Sequence, residues 1–248
     1  MAGPSIVVKG LTKTFGAFTA VDHISFDVAK GEIFGFLGPN GAGKSTTIRM
    51  LCGILRPTSG EGTVGGFSVA TQSEDIKKII GYMSQKFTLY NDLTVGENID
   101  FHGAIRRLPP ALKAERKRWV VKMAGLEGRE SALTRELAGG WKQRLALGCA
   151  ILHRPEILFL DEPTASVDPV SRRDFWNLIY ELSGRGTTTF VTSHYMDEVE
   201  RCHRIAIIYA GKIIALGSPR ELKVRFAGME SASLEQVFVA AIRQARTV

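Results

Sequence analysis

The sequence has few cysteines, and none of them forms a recognisable pairing or metal-binding pattern. Cys52, Cys149 and Cys202 are odd in number and lack C-x-x-C spacing. They lie in apolar or helical stretches, where cysteine usually acts as a small buried hydrophobe. The five histidines show no ligand spacing either. A disulfide scaffold is therefore excluded, and a structural metal site has little support.

Long apolar runs are also missing. No stretch approaches the roughly 20 residues that a membrane-spanning helix needs, and the residues Met1 to Pro4 lack the basic and apolar regions of a signal peptide. Hydrophobic residues make up 44% and charged residues 23% of the 248 residues, which is typical of a globular protein and not of long disorder. We therefore expect a cytoplasmic chain with a full hydrophobic core.

Positive charge exceeds negative charge, with a net charge of +7, but most of it is spread thinly. The one dense basic segment contains Lys113, Arg116, Lys117, Arg118 and Lys122. On a helix such a segment is more often a solvated face than a groove for nucleic acid, although the net charge is compatible with nucleic acid or an anionic membrane face. We expect a solvated helix face here.

A glycine-rich stretch matches the phosphate-binding pattern G-x-x-x-x-G-K-[ST] at every fixed position. The apolar run Glu32 to Leu37 before it predicts a buried strand, and Ser45 to Leu51 after it predicts a helix. This context disfavours a chance glycine-rich turn. Glycines let backbone N–H groups surround the phosphates, Lys44 reaches the β- and γ-phosphates, and the Ser45 hydroxyl binds magnesium. The predicted nucleotide-binding residues are Gly38, Pro39, Asn40, Gly41, Ala42, Gly43, Lys44, Ser45 and Thr46.

Acidic residues follow a second apolar strand. The run Ile157 to Leu160 ends in Asp161 and Glu162, at the strand end where ligands sit in parallel α/β sheets. Asp161 suits magnesium, and Glu162 suits orienting and deprotonating a water molecule. An acidic pair at a strand end is otherwise a helix cap or a solvated turn, which the phosphate loop makes improbable.

Three further residues are weaker candidates. The strand Thr187 to Thr192 presents His194 at the same sheet edge, where it can donate to a γ-phosphate oxygen. Gln85 follows the short strand Gly81 to Met83 and could bridge magnesium and the attacking water, or be an ordinary loop residue. Phe15 could stack on a purine, or either it or Phe18 could pack under a turn.

The remaining pattern predicts a β layer and a helical lobe. Short strands are expected at Ser5–Lys9 and Ile24–Val28, around a turn over Gly16–Asp22, with a third at Gly62–Val69. The pattern from Leu93 to Leu152 is almost entirely helical.

One helix of this lobe begins with two glycines. It starts within the segment Leu137, Ala138, Gly139, Gly140, Trp141 and runs to about His153. Exposed N–H groups at such a helix start can bind an anion, although the segment alone could be a flexible helix-entry turn.

Taken together, the ordered motifs resemble the nucleotide-binding subunits of ATP-binding cassette (ABC) transporters over about Ser5 to Val239. The resemblance identifies Gly38–Ser45 as Walker A, Ile157–Glu162 as Walker B and Leu137–Trp141 as the signature. It also identifies Gln85 as the Q-loop, Ser166–Asp168 as the D-loop and His194 as the switch histidine.

This resemblance implies a fold and a set of partners. The expected fold is α/β: a P-loop NTPase core with a mainly parallel sheet, a flanking antiparallel β layer and an inserted α-helical subdomain. Residues 1–248 would form one ABC ATPase domain, with the core at about 1–85 and 153–225, the helical subdomain at about 86–152 and a C-terminal helix at about 226–248.

The implied cofactors are ATP and Mg²⁺, with magnesium held by Ser45, Gln85 and Asp161 and catalysis by Glu162, His194, Gln85 and Lys44. Two such domains, identical or paralogous, would dimerise head to tail, so that each signature meets the opposite nucleotide. Integral membrane permease subunits would hold them at the cytoplasmic face of the membrane, with coupling helices received near Gln85 and the apolar Phe87, Leu89 and Tyr90. Nucleic acid is not expected.

The signature departs from the usual LSGGQ, with Ala138 in place of Ser and Trp141 in place of Gln. Loss of the hydroxyl predicts weakened dimer closure. The stretches Gly81–Phe87, Gly140–Leu145 and Ser233–Val239 resemble ABC-2 type exporters of drugs or antibiotics. The alternative is a soluble ABC ATPase acting on ribosomes or nucleic acid, for which the basic segment is the best support.

Overall fold

The computed structural model describes residues 3–85, 89–165 and 167–247. The strands are β1 (Ile6–Phe15), β2 (Phe18–Val28), β3 (Ile33–Leu37), β4 (Ser59–Val64), β5 (Phe67–Ser68), β6 (Ile80–Met83), β7 (Ile157–Asp161), β8 (Thr188–Ser193), β9 (Arg204–Tyr209) and β10 (Lys212–Gly217). The helices are α1 (Lys44–Leu51), α2 (Ser73–Ile79), α3 (Val95–Ile105), α4 (Pro110–Ala124), α5 (Gly139–Ala150), α6 (Pro169–Gly184), α7 (Met196–Val199), α8 (Pro219–Ala227) and α9 (Leu234–Thr247).

Two sheets form the centre of the fold. One is antiparallel, in the order β2-β1-β4-β5, and the other runs β10-β9-β3-β8-β7-β6. In the second sheet, β9, β3, β8, β7 and β6 are mutually parallel, and only β10 is antiparallel to its neighbour. This is the expected mainly parallel core with a flanking antiparallel layer.

An aromatic cluster packs between the two sheets. Phe26 of β2 stacks on Phe34 of β3 with ring centroids 5.4 Å apart, and Phe190 of β8 lies 5.6 Å from Phe34. These rings are buried, and burial of each such side chain stabilises the fold by roughly 1.5–3 kcal/mol. A second apolar cluster, which includes Trp176 of α6 and Val237 of α9, covers the other face of the parallel sheet. Strands β3, β7 and β8 are therefore buried on both faces. The apolar runs of β3 and β7 and the β-branched run of β8 predict this burial.

The parallel arrangement gathers several loops at one edge. Leu37 is paired with Ser193, and Asp161 with Thr192, so β3, β7 and β8 end side by side. Met83 pairs with Leu160, which brings the end of β6 to the same edge. The segments that carry the predicted site residues all leave the sheet there.

The segment from Leu93 to Leu152 is largely helical, although less continuously than expected. Helices α3, α4 and α5 share a core that includes Ile99, Val120 and Leu145. Gly125 and Gly128 have φ angles of +65° and +75°, which end α4 and prevent the helix from continuing. Only a short 3-10 turn, Thr134–Glu136, follows before α5.

The expected strand boundaries in the antiparallel layer were wrong in two places. Phe18 to Asp22 belongs to β2 rather than to a turn, and only two residues, 16–17, connect β1 and β2. The expected strand Gly62–Val69 is instead a hairpin of β4 and β5, because Gly65 and Gly66 adopt φ angles of +58° and +84°.

The basic segment lies on α4, and one of its residues is not solvated as expected. Arg116 is buried and donates hydrogen bonds of 3.0 Å to the backbone oxygens of Leu152 and Ile151. Burial lowers the pKa of its guanidinium to about 10. Lys117 donates to Asp100 at 2.5 Å, while Arg118 is exposed as expected.

All three cysteines are buried, as expected of small apolar side chains. Among the residues described, none of the helices combines the length and the apolar character that crossing a membrane requires.

Candidate nucleotide site

The predicted phosphate loop joins β3 to α1, and its shape depends on glycine. Gly41 and Gly43 have φ angles of +80° and +109°, a region that favours glycine. A Cβ atom on Gly43 would lie 2.5 Å from the backbone oxygen of Ala20, and one on Gly38 would lie 2.5 Å from that of Ile208. The loop is therefore pressed between β2 and β9, with the start of α1 behind it. Such a glycine-lined cradle at a helix start fits a phosphate group.

Lys44 is buried at the mouth of this loop. Its Nζ donates to the backbone oxygens of Gly38 and Pro39 at 2.7 Å and 3.1 Å. The same ammonium lies 2.9 Å from Oε1 of Glu162. Both charged side chains are almost fully buried, so the charge of each offsets that of the other in a region of low dielectric.

Asp161 lies at the end of β7 and faces the start of α1. Its Oδ1 accepts hydrogen bonds from the hydroxyl of Ser45 at 3.2 Å and from the hydroxyl of Thr192 at 2.7 Å. Carboxylate and hydroxyl oxygens are ligands that suit Mg²⁺. The donor set of Ser45 and Asp161 therefore fits the ion that the sequence predicts.

The negative charge of Asp161 also acts on its buried neighbours. Burial raises the pKa of Tyr82 to about 12, and the Asp161 carboxylate adds to this shift. Burial likewise raises the pKa of the Cys52 thiol, again with a contribution from Asp161. Both groups therefore stay neutral at physiological pH and add no negative charge beside Asp161.

Three predicted residues converge on the carboxylate of Glu162. Oε1 faces Lys44, and Oε2 accepts a 3.1 Å hydrogen bond from Nε2 of Gln85 and lies 3.1 Å from Nδ1 of His194. Gln85 is exposed, whereas Glu162 is only 7% exposed. The structure thus brings together the residues that follow four different strands.

The backbone at Glu162 is unusual. Its φ angle is +49°, which costs a non-glycine residue about 1–3 kcal/mol. The Glu162 N–H donates to both the hydroxyl and the backbone oxygen of Thr192, at 3.0 Å and 3.2 Å. These hydrogen bonds hold the strained residue in place.

Phe15 lies at the end of β1, where it pairs with Phe18 across the hairpin. The two rings are 50% and 63% exposed, so neither packs under the turn. Lys13 places its Nζ 5.2 Å from the centre of the Phe15 ring. Both aromatic rings are therefore exposed to a ligand.

The predicted signature forms the start of α5. Ala138 is the N-cap residue and makes no side-chain capping bond. Gly140 is buried so closely against Ser171 of α6 that a Cβ atom would overlap the Ser171 hydroxyl. Trp141 is covered by the guanidinium of Arg129, whose carbon lies 4.2 Å from the ring centre. The contacts described for these residues are thus made with α6 and the helical segment, not with the phosphate loop.

Asp168 is the N-cap of α6. Its Oδ1 accepts hydrogen bonds of 3.0 Å from the N–H groups of Ser171 and Val170. These bonds lower the pKa of the Asp168 carboxyl. Ser166, the first residue of the predicted D-loop, lies outside the described residues.

Two side chains of the site were not predicted. Thr192 contacts both Asp161 and Glu162 through one hydroxyl. Only the register between β7 and β8 reveals these contacts, and sequence alone does not give that register. Gln143 of α5 is fully buried and donates to the backbone oxygen of Pro163, joining the signature helix to the segment after Glu162. A glutamine inside a helix carries no sequence signal for that contact.

The comparisons with known proteins agree with this geometry. The family model described as "ABC transporter" matches residues 21–165. The chain is 48% identical over 236 residues to the probable multidrug ABC transporter ATP-binding protein YbhF of Escherichia coli, covering 94% of this chain but 41% of that protein. The chain thus spans less than half of this relative. It is 39% identical to the linearmycin resistance ATP-binding protein LnrL of Bacillus subtilis, covering 95% of this chain and 78% of that one.

Solved structures show the same fold. An ATP-binding subunit of an ABC transporter superimposes with a TM-score of 0.85 at 27% identity, covering 96% of this chain and 99% of the other. The dimeric post-hydrolysis ATP-binding cassette MJ0796, bound to ADP and Pi, superimposes with a TM-score of 0.77 at 25% identity, covering 86% and 98%. Family model, relatives and fold agree, and the chain belongs to the ABC transporter family as an ABC ATPase domain.

Proposed function

We propose that residues 1–248 act as one ATP-hydrolysing domain that drives a membrane exporter of the ABC-2 type. The observation that carries this proposal is the convergence of Lys44, Gln85 and His194 on the buried carboxylate of Glu162, beside Asp161 and Ser45. Phosphoryl transfer depends chiefly on positioning and charge stabilisation, which is what such a cluster provides.

The phosphate loop binds the phosphates of ATP. The backbone N–H groups of Gly41, Gly43 and the start of α1 supply donors and a positive dipole end, and Lys44 supplies a buried positive charge. Ser45, Asp161 and Gln85 would hold Mg²⁺, which when bound would neutralise charge on the phosphate oxygens. Phe15 offers an aromatic surface for the base.

Glu162 activates the attacking water by accepting its proton. Its position supports this role, because the carboxylate lies 2.9 Å from Lys44 of the phosphate loop and 3.1 Å from His194. His194 contacts the γ-phosphate and Gln85 orients the water. Water attacks the γ-phosphorus, the bond to the ADP oxygen breaks, and ADP and phosphate leave.

A second cassette, identical or paralogous, completes the site. The start of α5, from Leu137 to Trp141, meets the nucleotide of the opposite cassette with the amides of Gly139 and Gly140, and Asp168 lies at the same interface. The likeness to the dimeric MJ0796 supports this arrangement. ATP closes the dimer, and hydrolysis opens it.

Integral membrane permease subunits use this closing and opening, and they hold the cassette at the cytoplasmic face of the membrane. A groove of about 800 Å³ near the end of β6 offers a docking surface, lined among others by Tyr82, Ile105, Arg106, Ala150 and His153. Two of the residues predicted to receive the permease, Leu89 and Tyr90, follow Gln85 in the sequence. The third, Phe87, lies outside the described residues. YbhF and LnrL, named for multidrug transport and linearmycin resistance, support export as the direction.

The test is ATP hydrolysis by the purified chain, alone and with its Glu162→Gln variant. We expect the variant to bind ATP and Mg²⁺ with the wild-type affinity but to release phosphate at least about 100-fold more slowly, because the amide cannot accept the proton. Wild-type turnover no faster than that of Glu162→Gln would refute the catalytic role. Lys44→Ala is the companion variant, and it is expected to lose ATP binding itself.

A further inference from the structure

A buried carboxylate behind the candidate site connects three segments of it. Glu198 lies on the short helix α7 and is 1% exposed. Its Oε1 accepts a hydrogen bond from the hydroxyl of Thr164, and its Oε2 accepts one of 2.7 Å from the hydroxyl of Ser193. Arg172 of α6 places its Nε 3.3 Å from the same Oε1. Each carboxylate oxygen of Glu198 thus accepts a hydrogen bond, whereas a buried charge without such partners would be destabilising.

The partners of Glu198 are close neighbours of the proposed catalytic residues. Thr164 follows Glu162 by two residues, and Ser193 immediately precedes His194. The Ser193 hydroxyl also accepts a 2.9 Å hydrogen bond from the N–H of Tyr195, so the residues on both sides of His194 are fixed through this oxygen. Glu198 therefore holds the two backbone segments that carry Glu162 and His194.

Arg172 extends the network to the start of α6. Its N–H donates to the backbone oxygen of Asp168 at 2.9 Å, within the first turn of the helix. The next residue on the N-terminal side, Ser171, packs on Gly140 of the signature. The guanidinium of Arg172 also lies 5.1 Å from the ring centre of Tyr195. The Glu198 carboxylate thus connects α6, the helix that follows the predicted D-loop, to the segment around His194.

We propose that Glu198 is a positioning residue for hydrolysis, which sets the 3.1 Å contact between His194 and Glu162 through its hydrogen bonds to Ser193 and Thr164. This inference rests on the proposed ATPase function. Glu198 lies outside the phosphate loop, so it governs the rate of the chemical step and not the affinity for ATP. Small displacements of a catalytic group cost up to about 100-fold in rate.

The test is steady-state ATP hydrolysis by Glu198→Ala and Glu198→Gln. Alanine removes both hydrogen bonds, and we expect kcat to fall by about 10- to 100-fold while KM for ATP stays within about twofold. Glutamine retains one acceptor oxygen and adds an amide donor, and both hydroxyls can donate or accept. Glutamine is therefore expected to restore kcat to within about threefold of the wild type.

Glu200→Gln is the matched control, because Glu200 lies two residues away, is 45% exposed and pairs with Lys223 at the surface. It is expected to leave both constants unchanged. A general loss of structure would raise KM or lower ATP affinity together with kcat, and that result would overturn the proposal. So would a Glu198→Gln variant as slow as Glu198→Ala, or a Glu198→Ala variant as fast as the wild type.

If Glu198→Ala does not fold, the proposal is tested on Glu198→Gln and Ser193→Ala, which removes a single hydroxyl. Ser193→Ala is then expected to lower kcat about tenfold with KM unchanged, and unaltered kcat would contradict the proposal. Failure here is distinct from failure of the ATPase function, which would leave the wild type itself without turnover.

Discussion

Replacing Thr192 by valine tests how the two acidic residues of the site are held. Thr192 is fully buried, and its hydroxyl donates to Asp161 at 2.7 Å and accepts from the Glu162 N–H at 3.0 Å. Valine keeps the shape of the side chain and removes both hydrogen bonds. The Glu162 N–H retains the backbone oxygen of Thr192, so the main loss is the bond to the charged carboxylate.

A hydrogen bond to a charged group contributes about 1.5–3 kcal/mol. We therefore expect Thr192→Val to lower the free energy of unfolding by about 2 kcal/mol, which corresponds to a Tm decrease of about 4–8 °C for a chain of this size. Because Asp161 and Glu162 lose their orientation, ATP hydrolysis should also fall and need more Mg²⁺. Denaturant unfolding and the Mg²⁺ dependence of turnover measure the two effects.

Thr189→Val is the matched control on the same strand. The Thr189 hydroxyl is also fully buried, and it has no hydrogen-bond partner among the described residues. Its replacement should be neutral or stabilising, since an unpaired buried hydroxyl is unfavourable. Equal losses of stability for the two variants, or a loss below about 0.5 kcal/mol for Thr192→Val, would refute the reasoning.

Three further outcomes are expected. Ala138→Ser should stabilise the chain by about 1 kcal/mol through a helix-capping hydrogen bond and should raise ATP turnover. If neither a thermal melt nor a turnover assay changes, the missing hydroxyl has no role. Burial, aided by the charge of Arg106, lowers the pKa of His153 from 6.5 to about 4. The stability that the neutral imidazole contributes is therefore fully present above pH 6.5 and is lost as the pH falls towards 4. The unfolding free energy of the wild type should drop by about 3 kcal/mol more than that of His153→Gln over this range. Gly43→Ala should abolish ATP binding and cost about 1–3 kcal/mol or more of stability, whereas Gly16→Ala, also at positive φ but in open space, should leave ATP binding intact in a titration.

The parts of the site that follow buried strands could be predicted from the sequence. Apolar runs before Gly38 and Asp161 and a β-branched run before Ser193 identify strands buried on both faces, and polar residues at their ends identify one sheet edge. The fold class was implied by the resemblance of the ordered motifs to ABC transporter subunits, and the helical pattern between the strands predicted the helical segment. Element boundaries were less predictable, since a two-residue turn after Phe15 and the glycine pair at Gly65 leave little trace in hydrophobic periodicity.

Contacts across the sheet could not be predicted. Thr192 reaches Asp161 because β7 and β8 are neighbours in a particular register, and Glu198 reaches Thr164 because α7 returns over the same edge. Both residues are ordinary in sequence, and only the packing gives them partners. The buried position of Arg116 has the same origin, because its hydrogen bonds go to backbone oxygens at the end of α5.

The proposed function is tested most directly by purifying the tagged chain from its own host in mild detergent, as wild type and as Glu162→Gln, and measuring both composition and ATP hydrolysis. We expect a multi-spanning membrane protein in fixed ratio to the chain in both preparations, with hydrolysis in the wild-type complex only. Recovery of ribosomes or nucleic acid that persists at moderate salt, without a membrane protein, would contradict the proposal.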